Sequence, residues 1–590
     1  MRILPHWGRG YVGSGRDPQI FIWSFEWWPH AILHGDNPFY THAVWAPDGL
    51  NLAWVTSVPG LALPLAPLTL LFGPVAAYNV AAVLMPALAA WAAYLLCRHV
   101  TGAIWPSLVG GYLFGFSSYM LGQQLGHMHM AAVFPIPLVA LTILRAVEGE
   151  LTARALVLRL GLLLALQISF STELFFTLTL AVATALTVAL VLVRSIRARV
   201  RALLAPLAGA YAFATLLVSP LLVYAATGFE SKSINPPELY PADLLNFVVP
   251  TGILAVGNRW TNDLSGHFLG NISESGAYLG LPTLLAVAWF ARVRWRSPGG
   301  RFLLVALGIA ALAALGASLH VDGHRVAPLP WRLLSDLPLF DNILPVRLSL
   351  FVSLAAAVIV AIWAASNQRP AFLGLLLPAL AVLFLVPDLR VGHWKATPRR
   401  PSFFADALYR TYLQPNENVL VVPYGGRGDA MLWQAESEFY FRMPGGYIRP
   451  DIPDSFARFR AVRDLVYDVV PEGGARDLLA LIRAKDVRAI ILAKRDSRSW
   501  RPVLCAIGRP RAVGGILLYG RIDGGRSVQA RSVSAFASRP DHGTRAARSV
   551  HGRARSRSNV SRASASSGSA SSTRPSPASH SPCSSSVTAR

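Results

Sequence analysis

Long apolar runs recur along this chain and constrain its fold more than any other feature. A helix of roughly 20 apolar residues crosses the hydrocarbon core of a bilayer. Runs approaching that length occupy residues 75–97, 105–122, 130–146, 155–169, 172–193, 203–225, 276–292, 302–319, 347–364 and 371–387. Only 14% of the 590 residues are charged, whereas about a quarter are charged in soluble domains. The pattern predicts an α-helical polytopic membrane protein with about ten spans in residues 75–387.

A further apolar run, residues 58–74, differs from the others because it contains Pro59, Pro64, Pro67 and Pro74. Proline removes a backbone donor and breaks a helix, so these four residues argue against a simple span. We expect this run to lie at the membrane interface or to re-enter the bilayer.

The basic residues of the loops set the orientation. One set of alternate loops holds 12 basic residues in about 45 positions, and the other holds seven in about 160. The basic-rich set comprises Arg98, Arg145, Arg154, residues 194–201, residues 292–301 and Arg369. The positive-inside rule places this set in the cytoplasm. Residues 1–74, 226–275, 320–346 and the chain after 387 are then outside, which we interpret as the outer side of a bacterial plasma membrane.

The composition changes after the last apolar run. Residues 388–520 predict an extracytoplasmic α/β domain, with strands at 418–426, 487–494 and 513–520 and helices at 454–469 and 474–485. Residues 521–590 are rich in Arg and Ser and predict a disordered tail or, alternatively, a frameshifted end. Much of the net charge of +23 lies in this tail and in the short loops, so it does not indicate a nucleic-acid partner.

Asp17 precedes an aromatic segment, residues 19–33, in the first external loop. On a helix, one stripe of this segment carries Gln19, Trp23, Glu26 and His30. Glu26 and Pro29 are costly in hydrocarbon, so we expect the helix to lie along the interface. Asp17 is then either an ordinary N-cap of an aromatic anchor or a functional carboxylate.

Polar side chains at other external ends of the spans fall on the same membrane face. They are His127, His129, Glu173, Glu274, Tyr278 and Arg347. Each has an ordinary interpretation: Glu173 as a first-turn helix charge, Arg347 as a snorkelling cation, and His127 with His129 as loop residues. Their convergence predicts a polar cavity at the outer leaflet.

Five segments carry a resemblance to a known family. They are GRDPQIFIWSFEWWPHAILHGDNPFYT (15–41), GGYLFGFSSYMLGQQLGH (110–127), ESGAYLGLP (274–282), LPVRLSLF (344–351) and AMLWQAESEFYFRMPGGYI (430–448). Over roughly residues 10–519 the chain resembles the GT-C membrane glycosyltransferases, in particular bacterial YfhO-like and Rgt-like members. The resemblance implies 11 spans in the full family unit, with the first one missing here, and makes residues 19–33 and 58–74 the interfacial helices.

The resemblance also implies the chemistry. Such enzymes transfer a sugar from a polyprenyl-phosphate donor to an acceptor hydroxyl of an envelope glycan, lipid or protein, usually with inversion. Asp17 is then the catalytic base, and Arg347 faces the phosphate, with Arg259 or Lys232 as the next candidates. Trp23 or Trp27 stacks on the sugar. The remaining substrate-binding candidates are Glu26, His30, Glu173, Glu274 and Tyr278. The resemblance does not specify a cofactor. A divalent metal ion bound by His127 and His129 is an expectation.

Two other classes of function stay open at this point. A transporter or flippase also places polar groups between helices, although usually near the midplane and with repeat symmetry. A non-catalytic membrane scaffold remains if Asp17 is only a helix cap. The discriminating prediction is that Asp17, Glu173 and Arg347 face one pocket.

Overall fold

The computed structural model describes residues 7–227, 237–366, 371–390, 392–448, 451–493 and 499–520. Three sequence predictions fall on other residues. Lys232 as a phosphate-facing candidate, Arg369 as a cytoplasmic marker and the tail 521–590 all lie outside the described residues.

The N-terminal segment is organised by helix α1 (Asp17–His34), which covers the predicted aromatic helix. A short hairpin follows, β1 (Tyr40–Thr41) with β2 (Leu50–Asn51), and then α2 (Pro59–Ala62) and α3 (Ala66–Phe72). The proline-rich run 58–74 therefore forms two short helices instead of one span. Prolines stand in the first turn of both helices, where the missing N–H has no intrahelical partner to lose.

A bundle of helices makes up the middle of the chain. Its helices are α4 (Pro74–Thr101), α5 (Ile104–Gly115), α6 (Ser118–Gln123), α7 (Met128–Ala131), α8 (Pro135–Glu148), α9 (Ala153–Phe170), α10 (Thr172–Leu192), α11 (Arg197–Ala202), α12 (Leu204–Leu217), α13 (Ser219–Thr227), α14 (Arg259–Ser265), α15 (Leu281–Arg294), α16 (Pro298–Ala314), α17 (Ser349–Ala365) and α18 (Ala371–Phe384). A hairpin, β3 (Ser318–Val321) with β4 (His324–Pro328), lies between α16 and α17. Each predicted apolar run is helical over at least part of its length.

Within the described residues, five helical segments are long and apolar enough to cross a membrane by length and composition. They are Pro74–Thr101, Met128–Glu148, Ala153–Phe170, Thr172–Leu192 and Pro345–Ala365. The bent pair Arg194–Ala202 and Leu204–Leu217 makes a sixth if it is one span. Large apolar side chains such as Trp91, Leu162 and Leu216 are exposed on the outside of the bundle, as lipid-facing residues are. The chain is a multi-pass membrane protein, and the count of ten spans stays a prediction.

The run 105–122 illustrates why length and hydropathy alone do not settle that count. It breaks after Gly115, and Ser117 caps a new helix, α6, by accepting a hydrogen bond from the Met120 N–H. The cap satisfies a donor that a continuous helix would have bonded internally. The break also starts the short α6–α7 segment, which carries Gln123 and His127 to the site described below.

Residues after 400 form an α/β fold. Its helices are α19 (Ser402–Ala405), α20 (Tyr409–Tyr412), α21 (Ala430–Glu436), α22 (Asp454–Ala457), α23 (Arg460–Tyr467), α24 (Gly474–Ala484) and α25 (Arg501–Ile507). Its strands are β5 (Glu417–Val422), β6 (Phe441–Arg442), β7 (Ala489–Ala493), β8 (Pro510–Val513) and β9 (Ile516–Tyr519), in the sheet order β6-β5-β7-β9-β8. β5 runs parallel to β6 and β7, whereas β9 runs antiparallel to β7 and β8. The three predicted strands correspond to β5, β7 and β9, which are buried along their whole length.

Helix α1 belongs to two cores at once. Phe21, Ile22 and Phe25 pack with the helix bundle. Trp23 and Trp27, together with Trp28, belong to the core of the C-terminal α/β fold. The interpretation of this segment as an aromatic anchor with its tryptophans at the membrane interface is therefore wrong, because protein covers those rings.

Candidate active site

Asp17 is the first residue of α1, and its side chain does not cap the helix. The N-cap is Arg16, which makes no side-chain cap hydrogen bond. The Tyr447 hydroxyl donates a 2.7 Å hydrogen bond to Asp17 Oδ1, and His127 Nε2 lies 3.6 Å from Asp17 Oδ2. The side chain stays 40% exposed. The ordinary N-cap interpretation is thus wrong, and the carboxylate sits where the N-terminal end of the helix dipole favours negative charge.

A glycine turn before α1 brings Asp17 close to the α6–α7 segment. Gly13 has φ +107°, and a Cβ there would lie 2.6 Å from the Leu125 carbonyl oxygen. The Ser14 N–H donates to that same oxygen at 2.7 Å. A Cβ on Gly126 would lie 3.1 Å from Asp17 Cβ. The two backbones therefore approach each other at positions where side chains have no room.

His127 links Asp17 to a buried carboxylate. His127 follows the end of α6, and its backbone N–H donates to the Gln123 carbonyl at 2.8 Å. His127 Nδ1 is 3.0 Å from Gln123 Oε1 and 3.5 Å from Glu274 Oε1. The Gln123 amide also donates a 3.1 Å hydrogen bond to Glu274 Oε2. These contacts join the α6–α7 segment, and through His127 also Asp17, to the loop before α15.

Arg347 completes the network from the turn before α17. Its Nε lies 3.2 Å from both oxygens of Glu274, and its Nη2 donates to Glu274 Oε1 at 2.5 Å. Its Nη1 donates to Glu173 Oε2 at 2.5 Å. Burial raises the pKa of Glu274, but Arg347 and then His127 outweigh this effect and lower the pKa to about 2. Two carboxylates contact this guanidinium, which disfavours Arg347 as the partner of a lipid phosphate, and that assignment stays a prediction.

The structure brings together only part of the predicted site. Asp17, His127, Glu173, Glu274 and Arg347 form one connected set through the contacts above. These contacts connect Asp17 with Glu173 and Arg347, whereas the expectation that the three face one pocket stays a prediction. Asp17 is the exposed end of the set, whereas Arg347 is 11% exposed and Glu274 is 3% exposed.

Trp23, Glu26 and His30 lie elsewhere. At 1.5 Å per helical residue they are about 9, 14 and 20 Å further along α1 than Asp17. The Trp23 indole N–H donates to Gln434 Oε1 at 2.8 Å, and the His30 ring lies 5.0 Å from the Phe439 ring. Burial and then Glu438 raise the pKa of Glu26 to about 7. The predicted stripe thus faces the C-terminal α/β fold.

The tryptophans proposed to stack on a sugar have no free face. Trp23 is fully buried and Trp27 is 5% exposed, with their rings stacked on each other at 5.4 Å. Tyr278 is also buried and lines a separate, small cavity of about 10 Å³ between helices of the bundle, beside Ser117, Thr283 and Ser353. Trp23, Trp27 and Tyr278 are therefore not part of the Asp17 network.

The histidine pair does not fit a metal centre. The His127 and His129 rings are 6.3 Å apart and nearly perpendicular. His129 stacks on Phe21, and its Nδ1 is buried without a hydrogen-bond partner among the described residues. Within the described residues, the one group of three His or acidic side chains with closely spaced ligand atoms is His99, Glu148 and Glu150, at the opposite ends of the spans. Within the described residues, this arrangement does not support a metal ion held by His127 and His129.

Sequence reasoning missed the residues that the C-terminal α/β fold contributes. Tyr447 contacts Asp17, Asp429 accepts a 2.6 Å hydrogen bond from Gln19, and Gln434 accepts one from Trp23. All three lie in or beside the segment 430–448, which carries part of the resemblance but for which the resemblance implies no role of a single residue. Its contacts bridge more than 400 positions of sequence, so no local pattern indicates them.

A family model described as "Domain of unknown function (DUF6311)" matches residues 1–386. No curated protein sequence matches the chain. Solved structures do resemble it in fold. Arabinofuranosyltransferase AftD from Mycobacteria matches with a TM-score of 0.50 and 14% identity, over 87% of this chain and 38% of AftD. This chain therefore spans well under two thirds of AftD.

Two further structures give weaker matches. The archaeal oligosaccharyltransferase AglB from Archaeoglobus fulgidus has a TM-score of 0.49 and 12% identity, over 88% of this chain and 72% of AglB. ArnT from Cupriavidus metallidurans has a TM-score of 0.38 and 12% identity, over 88% of this chain and 96% of ArnT. The likeness to AftD confirms the GT-C resemblance at the level of the fold. The resemblance to YfhO-like and Rgt-like members stays a prediction.

Proposed function

The chain belongs to the DUF6311 family, and we propose that it is a membrane glycosyltransferase that moves a sugar from a polyprenyl-phosphate donor to an extracytoplasmic acceptor. The observation that carries the proposal is the Asp17 carboxylate. It is the most exposed member of a polar network built from the ends of several helices, in a chain with the fold of a membrane glycosyltransferase. A helix cap would not need partners from two distant segments of the chain, which here supply His127 and Tyr447.

Asp17 has the protonation state that a general base requires. Burial raises the pKa of Asp17, but the contacts with His127 and Tyr447 outweigh it, so the pKa lies below its usual value. The carboxylate is therefore ionised at neutral pH and accepts the proton of an acceptor hydroxyl as that oxygen attacks the sugar. The bond from the sugar to the lipid phosphate breaks on the opposite face, which gives inversion.

The departing lipid phosphate needs a cation, and we assign this role to Arg16 instead of Arg347. Arg16 precedes Asp17 in sequence and its side chain is 34% exposed, with Nε 3.1 Å from Asp429 Oδ1. A guanidinium carries five donors, so this contact leaves others for phosphate oxygens. Arg259 is exposed at the start of α14, outside the contacts that join the Asp17 network. The lipid tail would lie against the apolar bundle, which accounts for a transferase built mostly of membrane helices.

The decisive test of the function is the fate of lipid-linked sugars in a deletion strain. We expect a polyprenyl-phosphate sugar to accumulate and one envelope glycan, lipid or protein to lose that sugar. Plasmid-borne wild-type protein should reverse both changes. Unchanged lipid-linked sugars together with unchanged envelope glycans in the deletion strain would exclude the proposed function.

The proposed orientation predicts which loops are reachable from outside the cell. Single cysteines at Asp263 and Gly299, in a background without other cysteines, should label differently with a membrane-impermeant maleimide on intact cells. Both positions are exposed, and a side chain at Gly299 meets open space. We expect Asp263→Cys to react and Gly299→Cys to react only after permeabilisation, because basic loops stay in the cytoplasm. The reverse pattern would invert the topology and place Asp17 inside.

A further inference from the structure

The loop that carries Tyr447 is held from both sides. The Met443 N–H donates to the Ala43 carbonyl, and the Ala46 N–H donates back to Met443, both at 2.9 Å. The Tyr424 hydroxyl donates to the Pro444 carbonyl at 2.8 Å from within the C-terminal fold. The loop is therefore fixed between the sheet of that fold and the first external loop.

The Tyr447 ring is equally constrained. A Cβ added to Gly426 would lie 2.7 Å from ring atom Cε2 of Tyr447, so the glycine backbone packs directly against the ring. This contact sets where the hydroxyl points. It points to Asp17 Oδ1, at 2.7 Å, across 430 positions of sequence.

The two oxygens of Asp17 consequently differ. Oδ1 accepts a charge-assisted hydrogen bond, which is both shorter and stronger than a neutral one. Oδ2 faces His127 Nε2 at 3.6 Å, which is too long for a hydrogen bond. Oδ2 therefore keeps lone pairs available on a side chain that is 40% exposed.

We propose that Tyr447 is a positioning residue that the C-terminal α/β fold supplies to the active site. Its phenol holds Oδ1 and leaves Oδ2 to take the proton of the acceptor hydroxyl. The inference rests on the proposed function. In the step, the acceptor oxygen forms a bond to the sugar carbon, its proton moves to Asp17 Oδ2, and the lipid phosphate leaves with the electron pair of the broken bond. Tyr447 keeps its own proton throughout.

Tyr447→Phe tests the proposal because it removes one oxygen and keeps the ring that packs on Gly426. In reconstituted membranes we expect kcat for sugar transfer to fall about 10-fold or more, with KM for donor and acceptor little changed, since a hydrogen bond to a charged group is lost. Tyr440→Phe is the matched control. Tyr440 lies in the same fold, and its hydroxyl donates to the Leu413 carbonyl instead of to Asp17. We expect the control to keep wild-type kcat.

The pH profile separates positioning from simple stabilisation. The groups that face Asp17 are Tyr447, His127 and the more distant Glu274. Removing the phenol removes a contact that favours the carboxylate, so the pKa of Asp17 rises and the acid limb of the rate profile moves to higher pH. A purely structural role for Tyr447 would lower the rate at every pH and leave the limb in place.

Carbodiimide labelling of Asp17, followed by peptide mass spectrometry over a pH series, gives the same information without sugar transfer. The protonated carboxyl reacts, so labelling of Tyr447→Phe should extend to higher pH than labelling of the wild type. If this shift occurs while the wild type transfers no sugar, the proposed function fails and the Tyr447–Asp17 contact stands. If the labelling curves and the acid limbs of the two proteins coincide, the positioning role is overturned.

Discussion

Replacing Asp17 by asparagine is expected to lower the turnover of sugar transfer by about 100-fold or more while leaving expression and donor binding nearly unchanged. The amide has almost the size of the carboxylate, and its oxygen can still accept the hydrogen bond from Tyr447. It cannot take a proton from the acceptor hydroxyl, so the chemical step loses its base. The measurement is transfer from a polyprenyl-phosphate sugar in reconstituted membranes, together with equilibrium binding of the donor.

The alternative view of Asp17 as a structural residue makes a different prediction. It expects a stability loss of about 1 kcal/mol or less and an active protein. Asp36→Asn is a suitable control, because Asp36 is an exposed acid just after α1. That variant should transfer sugar at the wild-type rate. A near wild-type turnover for Asp17→Asn would remove Asp17 from the catalytic role.

Replacing Arg347 by alanine is expected to destabilise the protein by about 3–5 kcal/mol, because it leaves buried carboxylates without their cation. Arg347 is 11% exposed and contacts both Glu173 and Glu274. The loss should appear as a lower melting temperature in detergent and a lower yield of folded protein. Arg332→Ala, at an exposed position, should change stability by about 0.5 kcal/mol or less.

A second-site test distinguishes a structural cation from a substrate-binding one. In a background of Glu173→Gln and Glu274→Gln the buried negative charges are gone, so Arg347→Ala should cost much less than it does alone. A phosphate-binding Arg347 would instead give a stable single variant with weakened donor binding. That outcome would restore the assignment made from sequence and remove the need for Arg16.

Much of the local structure could be read from the sequence. Each apolar run is helical over at least part of its length, as predicted. The strands at 417–422, 489–493 and 516–519 lie where alternation and β-branched residues predict them. The proline-rich run 58–74 forms two short helices and not one span. These features depend on propensity and periodicity over a few turns, which neighbouring residues decide. Asp17 stands out locally as a charge beside aromatic residues, but only the GT-C resemblance implies its role as a base.

The partners of each side chain could not be read in this way. Periodicity placed Gln19, Trp23, Glu26 and His30 on one stripe, but it did not say that the stripe would face the C-terminal fold instead of a substrate. Likewise, the sequence placed Glu173, Glu274 and Arg347 on a shared membrane face. It did not indicate that Arg347 would form ion pairs with both glutamates.

The contact between Tyr447 and Asp17 is the clearest case. It joins residues 430 positions apart, and it depends on the close packing of Gly426 against a ring and of residues 43–46 against residues 443–445. A sequence pattern states which face of an element is apolar or polar, because that follows from its own geometry. It does not state which distant element covers that face, because that choice is made by the packing of the whole chain. The sequence by itself thus determined the membrane class and most of the helices and drew attention to Asp17, whereas only the tertiary structure decided which groups surround that carboxylate, because distant packing sets them.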